Sequence, residues 1–295
     1  MHAVTPPSAA PPQPAARLPL PRKPAALAVP LVYAAAILAA GAVPPARQLL
    51  WLTLAAAGAC AAATAINRVV DADVDRVERR SAGGSTASPR PVDSGRALLV
   101  ALSGTLLLLV AAGQLNALAL WLSPIPVLAF VVVPHTRRWT WAYRAFLGLA
   151  QATGPAGGWV AIRAAVEGPT WLLGLAAGLW VSGLDLLHAP PDDAGDREQG
   201  TPWLPRHPGP RGAVAVARWA HAAAVLAWVM AGWATGRAGW YFGGVALSAL
   251  LLAWQHARLT LSLPHVSRPR RAWSPGGSVS LVILAATVLD VHFYG

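Results

Sequence analysis

Asn67-Arg68-Val69-Val70-Asp71-Ala72-Asp73-Val74-Asp75 closes an apolar run that begins at Leu49. If the helix of that run continues past Ile66, then Asn67, Asp71 and Asp75 fall at i, i+4 and i+8. They project from one helical face, one above another. Three oxygen-bearing side chains in a column, where an apolar helix leaves a bilayer, suit a hard divalent cation. Mg²⁺ takes oxygen ligands and usually keeps substrate phosphates as further ligands.

A second acidic cluster closes another apolar run, from Asp185 through His188, Asp192, Asp193 and Asp196-Arg197 to Gly200. The chain has only 12 Asp and Glu, and only Glu167 and Asp290 lie outside the stretches 71–93 and 185–198. Ionisable groups are expensive in a membrane, so confining the acids to two clusters points to chemistry there rather than to scattered solvation.

The membrane reading rests on composition. Of 295 residues, 55% are hydrophobic and 12% charged, against roughly 25% charged in soluble domains. Nine apolar runs follow one another: Leu27–Val43, Leu49–Val70, Ala97–Gly113, Ala117–Val133, Tyr143–Ile162, Trp171–Leu187, Ala213–Ala234, Trp240–Ala257 and Gly276–Phe293. Most approach the length of about 20 residues that spans a bilayer core. The expected fold is all-α, a polytopic membrane bundle of about nine transmembrane helices. The ninth run is the least regular, being short and carrying Asp290. Residues 1–24 are rich in Pro and Ala without the apolar core of a signal peptide, and read as a disordered tail before a transmembrane domain over 25–295.

Nine spans place the termini on opposite sides. Of the 23 Lys and Arg, all but Arg47, Arg163 and Arg237 fall on the side of the tail and both acidic clusters. The positive-inside rule makes that side cytoplasmic, so the protein is expected in the cell's inner, cytoplasmic membrane. Trp residues near the ends of the spans form an aromatic belt. The net charge of +11 does not indicate nucleic acid, because the cations are spread over short loops between apolar spans. The single cysteine, Cys60, allows no intramolecular disulfide and reads as a packing residue. The acidic motifs close spans two and six, which hints at a four-helix unit used twice plus a ninth helix.

Two acidic clusters on one membrane face, interleaved with Arg, can hold two Mg²⁺ and a diphosphate. The carboxylates bind the metals, the metals bind the diphosphate, and Arg side chains neutralise what charge remains. A diphosphate so held is a good leaving group, and the metals stabilise the charge that develops as its C–O bond breaks. The apolar interior accommodates a lipid tail and keeps water from a carbocation. That combination points to prenyl transfer.

The first motif resembles the N-x-x-x-D-x-x-x-D signature of UbiA-type intramembrane prenyltransferases. Arg80-Ser-Ala-Gly83 and Arg90-Pro91-Val-Asp-Ser94-Gly95 resemble R-[ST]-A-G and R-P-x-x-S-G of the loop that follows it. Asp185, Leu187, Ala189, Asp192, Asp196, Arg197 and Gly200 match the family's D-x-L-Y-A-x-x-D-x-x-x-D-R-x-x-G. His135-Thr136-Arg137-Arg138-Trp139-Thr140 resembles Y-T-K-R-F-T, and Phe146-Leu-Gly-Leu-Ala150 with Gly157-Gly158-Trp159 resembles F-L-G-L-A…G-G-W. The resemblance is nearest to the 4-hydroxybenzoate and menaquinone-pathway branch. It implies a nine-helix bundle, Mg²⁺ as cofactor, an isoprenyl diphosphate donor and an acceptor that is often a hydroxylated aromatic acid, in quinone or related biosynthesis. Asn67, Asp71, Asp75, Asp192 and Asp196 are the expected metal ligands. Asp185 joins Asp71, Asp75, Asp192 and Asp196 as an expected catalytic residue. Arg68, Arg80, Arg137, Arg138 and Arg197 are expected on the diphosphate, and His188 near the acceptor.

Three positions depart from the family pattern: His188 stands for Tyr, Pro190-Pro191 precede Asp192, and Arg137 stands for Lys. They leave room for a UbiA-type terpene cyclase or a secondary-metabolite prenyltransferase. The non-enzyme alternative is a lipid or anion transporter, but transporters carry ionisable residues and broken helices at the midplane, whereas the acids here gather at one interface. Asp73 and Asp193 are off the main faces and read as solvated. Gly154-x-x-x-Gly158 reads as close helix packing, and no role is assigned to Arg218 or His221.

Overall fold

A computed structural model describes residues 27–81, 94–136, 140–188, 209–262 and 275–294. Among these the chain is helical throughout: α1 Val29–Ala40, α2 Ala46–Ser81, α3 Ser94–Leu115, α4 Ala117–Leu122, α5 Pro124–His135, α6 Thr140–Arg163, α7 Gly168–His188, α8 Gly209–Ala234, α9 Gly239–Ser262 and α10 Val279–Tyr294, the last entered through a 3₁₀ turn at Pro275–Ser278. Taking α4 and α5 as one interrupted span, these coincide with the nine apolar runs. Six segments are long and apolar enough to cross a membrane: Ala46–Val70, Ser94–Leu115, Ala117–His135, Gly168–Leu187, Gly212–Ala234 and Gly276–Tyr294. The protein is a multi-span membrane protein.

Local chemistry explains the boundaries. Gly41 ends α1 in the left-handed conformation at φ 66°, which glycine adopts without a Cβ clash. At 36 residues, α2 runs about 54 Å, well beyond a hydrocarbon core of roughly 30 Å. Its last turns therefore extend past the apolar zone and carry the backbone of Asn67, Asp71 and Asp75 in one continuous helix. The fourth span breaks at Ser123 because Pro124 and Pro126 lack the N–H groups that would continue the ladder. Asn116 starts that span: its Oδ1 accepts from the Ala119 N–H at 2.8 Å, and its Nδ2 donates to the Val160 and Ala161 carbonyls of α6 at 2.9 and 3.0 Å.

Six helices, α1, α6, α7, α8, α9 and α10, pack side by side and close on themselves. Their shared core holds Trp180, Trp228, Tyr241 and Ile283, all fully buried. The Trp180 indole donates to the Gly276 carbonyl at 3.0 Å and the Tyr241 hydroxyl to the Trp228 carbonyl at 3.0 Å, so neither buried polar edge is left unpaired. The remaining helices, α2 to α5, form a second group leaning on α6. Within it α2 and α3 pack along much of their length. A Cβ on Gly58 would lie 2.6 Å from the Gly104 carbonyl oxygen, so the two backbones touch only because both residues are glycine.

The contacts do not divide the chain into two like four-helix units. The first span packs chiefly on α6 and α10 and barely on α2, whereas α6 and α7, at the corresponding place in the second half, pack closely. The acid in the last span is explained. Asp290 is buried and accepts from the Ala238 N–H (3.2 and 3.1 Å) and the Tyr241 N–H (3.0 Å). It caps the exposed amides at the start of α9 from a neighbouring helix, a favourable place for a carboxylate.

Candidate active site

The described candidates lie near helix ends: Asn67 toward the end of α2, Arg144 in the first turns of α6 and Asp185 in the last turn of α7. Asp185 lies in the last turn of α7 and Arg144 in the first turns of α6, and their side chains pair at 3.5 Å. The pairing supplies what an acid at the end of an apolar helix requires. Ser182, one turn before Asp185, donates to the Arg144 backbone carbonyl at 3.0 Å and ties the two helices together. Arg144 went unnoticed in the sequence motifs. Its only signal there was its place among the cations on the acidic side.

Directly below this pair opens a cavity of about 1010 Å³ between the two helix groups. Ser182 and Ala145 are at its upper end; Ala161, Val166 and Thr170 are at its lower end. From Ala145 to Ala161 is about 24 Å of helix, most of the depth of a bilayer core. Its walls are small and aliphatic residues such as Ala55, Ala59, Gly157 and Leu175, and none of the described lining residues is Asp, Glu, Lys, Arg or His. Most polar liners bond to the backbone: Ser123 to the Leu120 carbonyl at 2.7 Å and Thr153 to the Ala150 carbonyl at 2.6 Å, while Thr170 accepts from the Glu167 N–H at 3.0 Å.

Asn67 sits one turn above the apolar part of α2. Its Oδ1 is buried and meets no hydrogen-bond donor among the described residues. A buried carbonyl oxygen left unpaired costs about 1–3 kcal/mol, and a hard cation is the partner that suits it. With Asp71 and Asp75 one and two turns further along the same helix, the donor set fits a divalent metal. Arg68, beside Asn67, is exposed. The helix backbone places Arg80 on the last turn of α2 and His188 as the last residue of α7. Arg137, Arg138, Asp192, Asp196 and Arg197 lie outside the described residues. Among those that are described, no three His, Cys, Asp or Glu side chains gather.

Two other polar groups prove structural. Glu167, at the opposite end of the bundle, accepts from the Trp159 indole at 3.0 Å and from Arg163 at 3.3 and 3.4 Å. The Arg163 bonds, then that from Trp159, hold its carboxyl below the usual range. His221 is buried inside the six-helix group. Its Nε2 faces the Trp180 carbonyl at 3.2 Å and its Nδ1 faces His256 Nε2 at 3.0 Å. A carbonyl only accepts, so His221 carries its proton on Nε2 and accepts from His256. The pair staples α7, α8 and α9 on the side of α7 away from the cavity.

The sequence profile of the UbiA prenyltransferase family matches residues 28–274. A 4-hydroxybenzoate octaprenyltransferase of Aromatoleum aromaticum is 29% identical over 266 residues, covering 86% of this chain and 85% of that protein. One of Thiobacillus denitrificans is 30% identical over 217 residues, 72% and 71% of the two chains. Among solved structures, the apo form of a UbiA homolog from Aeropyrum pernix superimposes with a TM-score of 0.75 at 27% identity, over 90% of this chain and 97% of that one. A UbiA homolog from Archaeoglobus fulgidus bound to DMAPP and Mg²⁺ superimposes with a TM-score of 0.59 at 18% identity, over 91% and 96%.

Proposed function

The chain belongs to the UbiA prenyltransferase family, and from that premise we propose that it transfers an isoprenyl group from an isoprenyl diphosphate to a hydroxylated aromatic acid. The observation that carries this reading is the apolar cavity of about 1010 Å³ lying directly below the Arg144–Asp185 pair. A molecule with a highly charged head and a long hydrocarbon tail matches that division between polar rim and apolar shaft. The named relatives, with their hydroxybenzoate acceptor, support the acceptor class. The Archaeoglobus homolog, with its DMAPP and Mg²⁺, supports the donor and metal.

In this reading Asn67, Asp71, Asp75, Asp192 and Asp196 hold the metal. Mg²⁺, when bound, neutralises the diphosphate and stabilises the charge that grows on it as the C–O bond breaks. Arg68, Arg80, Arg137, Arg138 and Arg197 bind the diphosphate oxygens and keep them at the rim. Asp185, held by Arg144, marks the level where the charged head stops. The shaft walls exclude water, so the allylic cation left behind survives until the ring attacks it. A C–C bond forms to the ring, and the ring then loses a proton or its carboxylate. His188, closing α7, borders the acceptor. The 20 cations on the site's side of the bundle support a cytoplasmic location for that side by the positive-inside rule, with the bundle in the inner membrane.

The test is diphosphate release by the purified protein in detergent with Mg²⁺ and geranyl, farnesyl or longer isoprenyl diphosphates. Release should require both Mg²⁺ and a hydroxylated aromatic acid, and fall about 100-fold or more in Asp71→Ala. Release that ignores the acceptor would replace the transferase with a cyclase. No release from folded protein with any donor would overturn the reading.

A further inference from the structure

Among the described residues, one polar liner of the cavity has no hydrogen-bond partner. Gln151 lines it, is 9% exposed, and its side-chain amide has no hydrogen-bond partner among the described residues. The other polar liners on α5, α6 and α7 are bonded to backbone, as above. A primary amide needs both donors and acceptors, and leaving one unpaired in an apolar shaft is costly. It stands at mid-depth in a wall of Ala, Gly and Leu, where a leucine would pack as well.

Its position on α6 shows what it faces. Arg144 and Gln151 are seven residues apart, two full turns, so they share one stripe of the helix. The same stripe continues to Gly154 and Gly158, which pack on Val32 of α1. In that register Ala28, one turn before Val32, lies level with Gln151, and Ala28 and Val29 line the same cavity. They form the start of α1, which has no side-chain cap.

We infer that Gln151 is the acceptor-recognition residue, its amide hydrogen-bonding a phenolic hydroxyl on the aromatic acceptor. This rests on the prenyl-transfer reading and goes beyond it by placing the acceptor. The ligand group is neutral, because none of the described residues lining the shaft is Lys, Arg or His, which would balance a carboxylate. An acid's carboxylate stays at the rim with Arg144. Two turns of helix are about 10 Å, on the order of one benzene ring with a hydrogen bond at each end. The hydroxyl donates to Gln151 Oε1, which raises electron density in the ring that attacks the cation.

The experiment measures equilibrium binding of 4-hydroxybenzoate, benzoate and geranyl diphosphate with Mg²⁺ to the full chain in nanodiscs, wild type beside Gln151→Met and Gln151→Asn. Wild type should bind 4-hydroxybenzoate roughly tenfold or more tightly than benzoate. In Gln151→Met the ratio should fall to near one with geranyl diphosphate affinity unchanged, and Gln151→Asn should fall between. A ratio near one in wild type, which needs no variant to fold, overturns the inference. So does an unchanged ratio in Gln151→Met. Binding of geranyl diphosphate without either acid overturns it while sparing the donor site. Failure of wild type to bind geranyl diphosphate overturns the transferase reading itself.

Discussion

Breaking the Arg144–Asp185 pair should separate a working ion pair from a decorative one. Arg144 is 14% and Asp185 31% exposed at the side chain, so each is partly desolvated and neither is cheap to leave alone. Arg144→Gln and Asp185→Asn are each expected to lower kcat/KM by about tenfold. The double variant should be no worse than either, a coupling that a double-mutant cycle on diphosphate release would register. Independent, additive losses would show that the two act separately. Asp290 offers the contrasting case, a buried acid remote from the chemistry. Asp290→Ala leaves the Ala238 and Tyr241 amides without their acceptor and should cost about 1–3 kcal/mol, read as a lower unfolding temperature in detergent. Activity per folded molecule should be unchanged, and Asp290→Asn should recover part of the loss. At this scale the sequence showed both acids as anomalies in apolar runs. It did not show their partners, which lie 41 and about 50 residues away in the chain.

Helices were the most legible level. The apolar runs, the positive-inside pattern and the i, i+4, i+8 column in α2 are local properties, and each run became helix where it is described. The break at Ser123 was written in Pro124 and Pro126 but hidden inside one continuous apolar stretch, because a hydropathy run does not distinguish one rod from two. Close approach was legible at Gly154 and Gly158, where the four-residue spacing marks a packing face. It was not legible at Gly58 and Gly104, whose meaning comes from facing each other across two helices. Gly58→Leu is expected to push α2 and α3 apart, since its Cβ alone would fall 2.6 Å from the Gly104 carbonyl oxygen. Overpacking of this kind costs about 1–3 kcal/mol. Because α2 carries the proposed metal-binding column, Mg²⁺-dependent activity should fall more steeply than folded yield, as judged by size-exclusion profile and diphosphate release on the same sample.

The whole molecule is two helix groups with a shaft between them, and under the proposed function the shaft's dimensions set which donors fit. Gly157 lines it, and a Cβ there would meet nothing within 4 Å. Gly157→Leu should therefore fold normally and fill the far half of the shaft. The expected result is a KM for the longest isoprenyl diphosphates raised about tenfold, with geranyl diphosphate little affected. Equal effects on short and long donors would mean that the tail lies elsewhere. The sequence alone determined that this chain is a bundle of membrane helices with oxygen-rich motifs at one face. Hydrophobicity, helical period and charge bias act over a turn or a loop, and a single chain displays them openly. Only the tertiary structure decided which faces meet. It opened the shaft below Asp185, supplied Arg144 as its partner and left Gln151 unpaired in an apolar wall. The asymmetric packing of the first span and the capping of α9 by Asp290 came from the same source. Each depends on side chains from different helices arriving at one point, and a residue's own neighbours in sequence carry no record of that meeting.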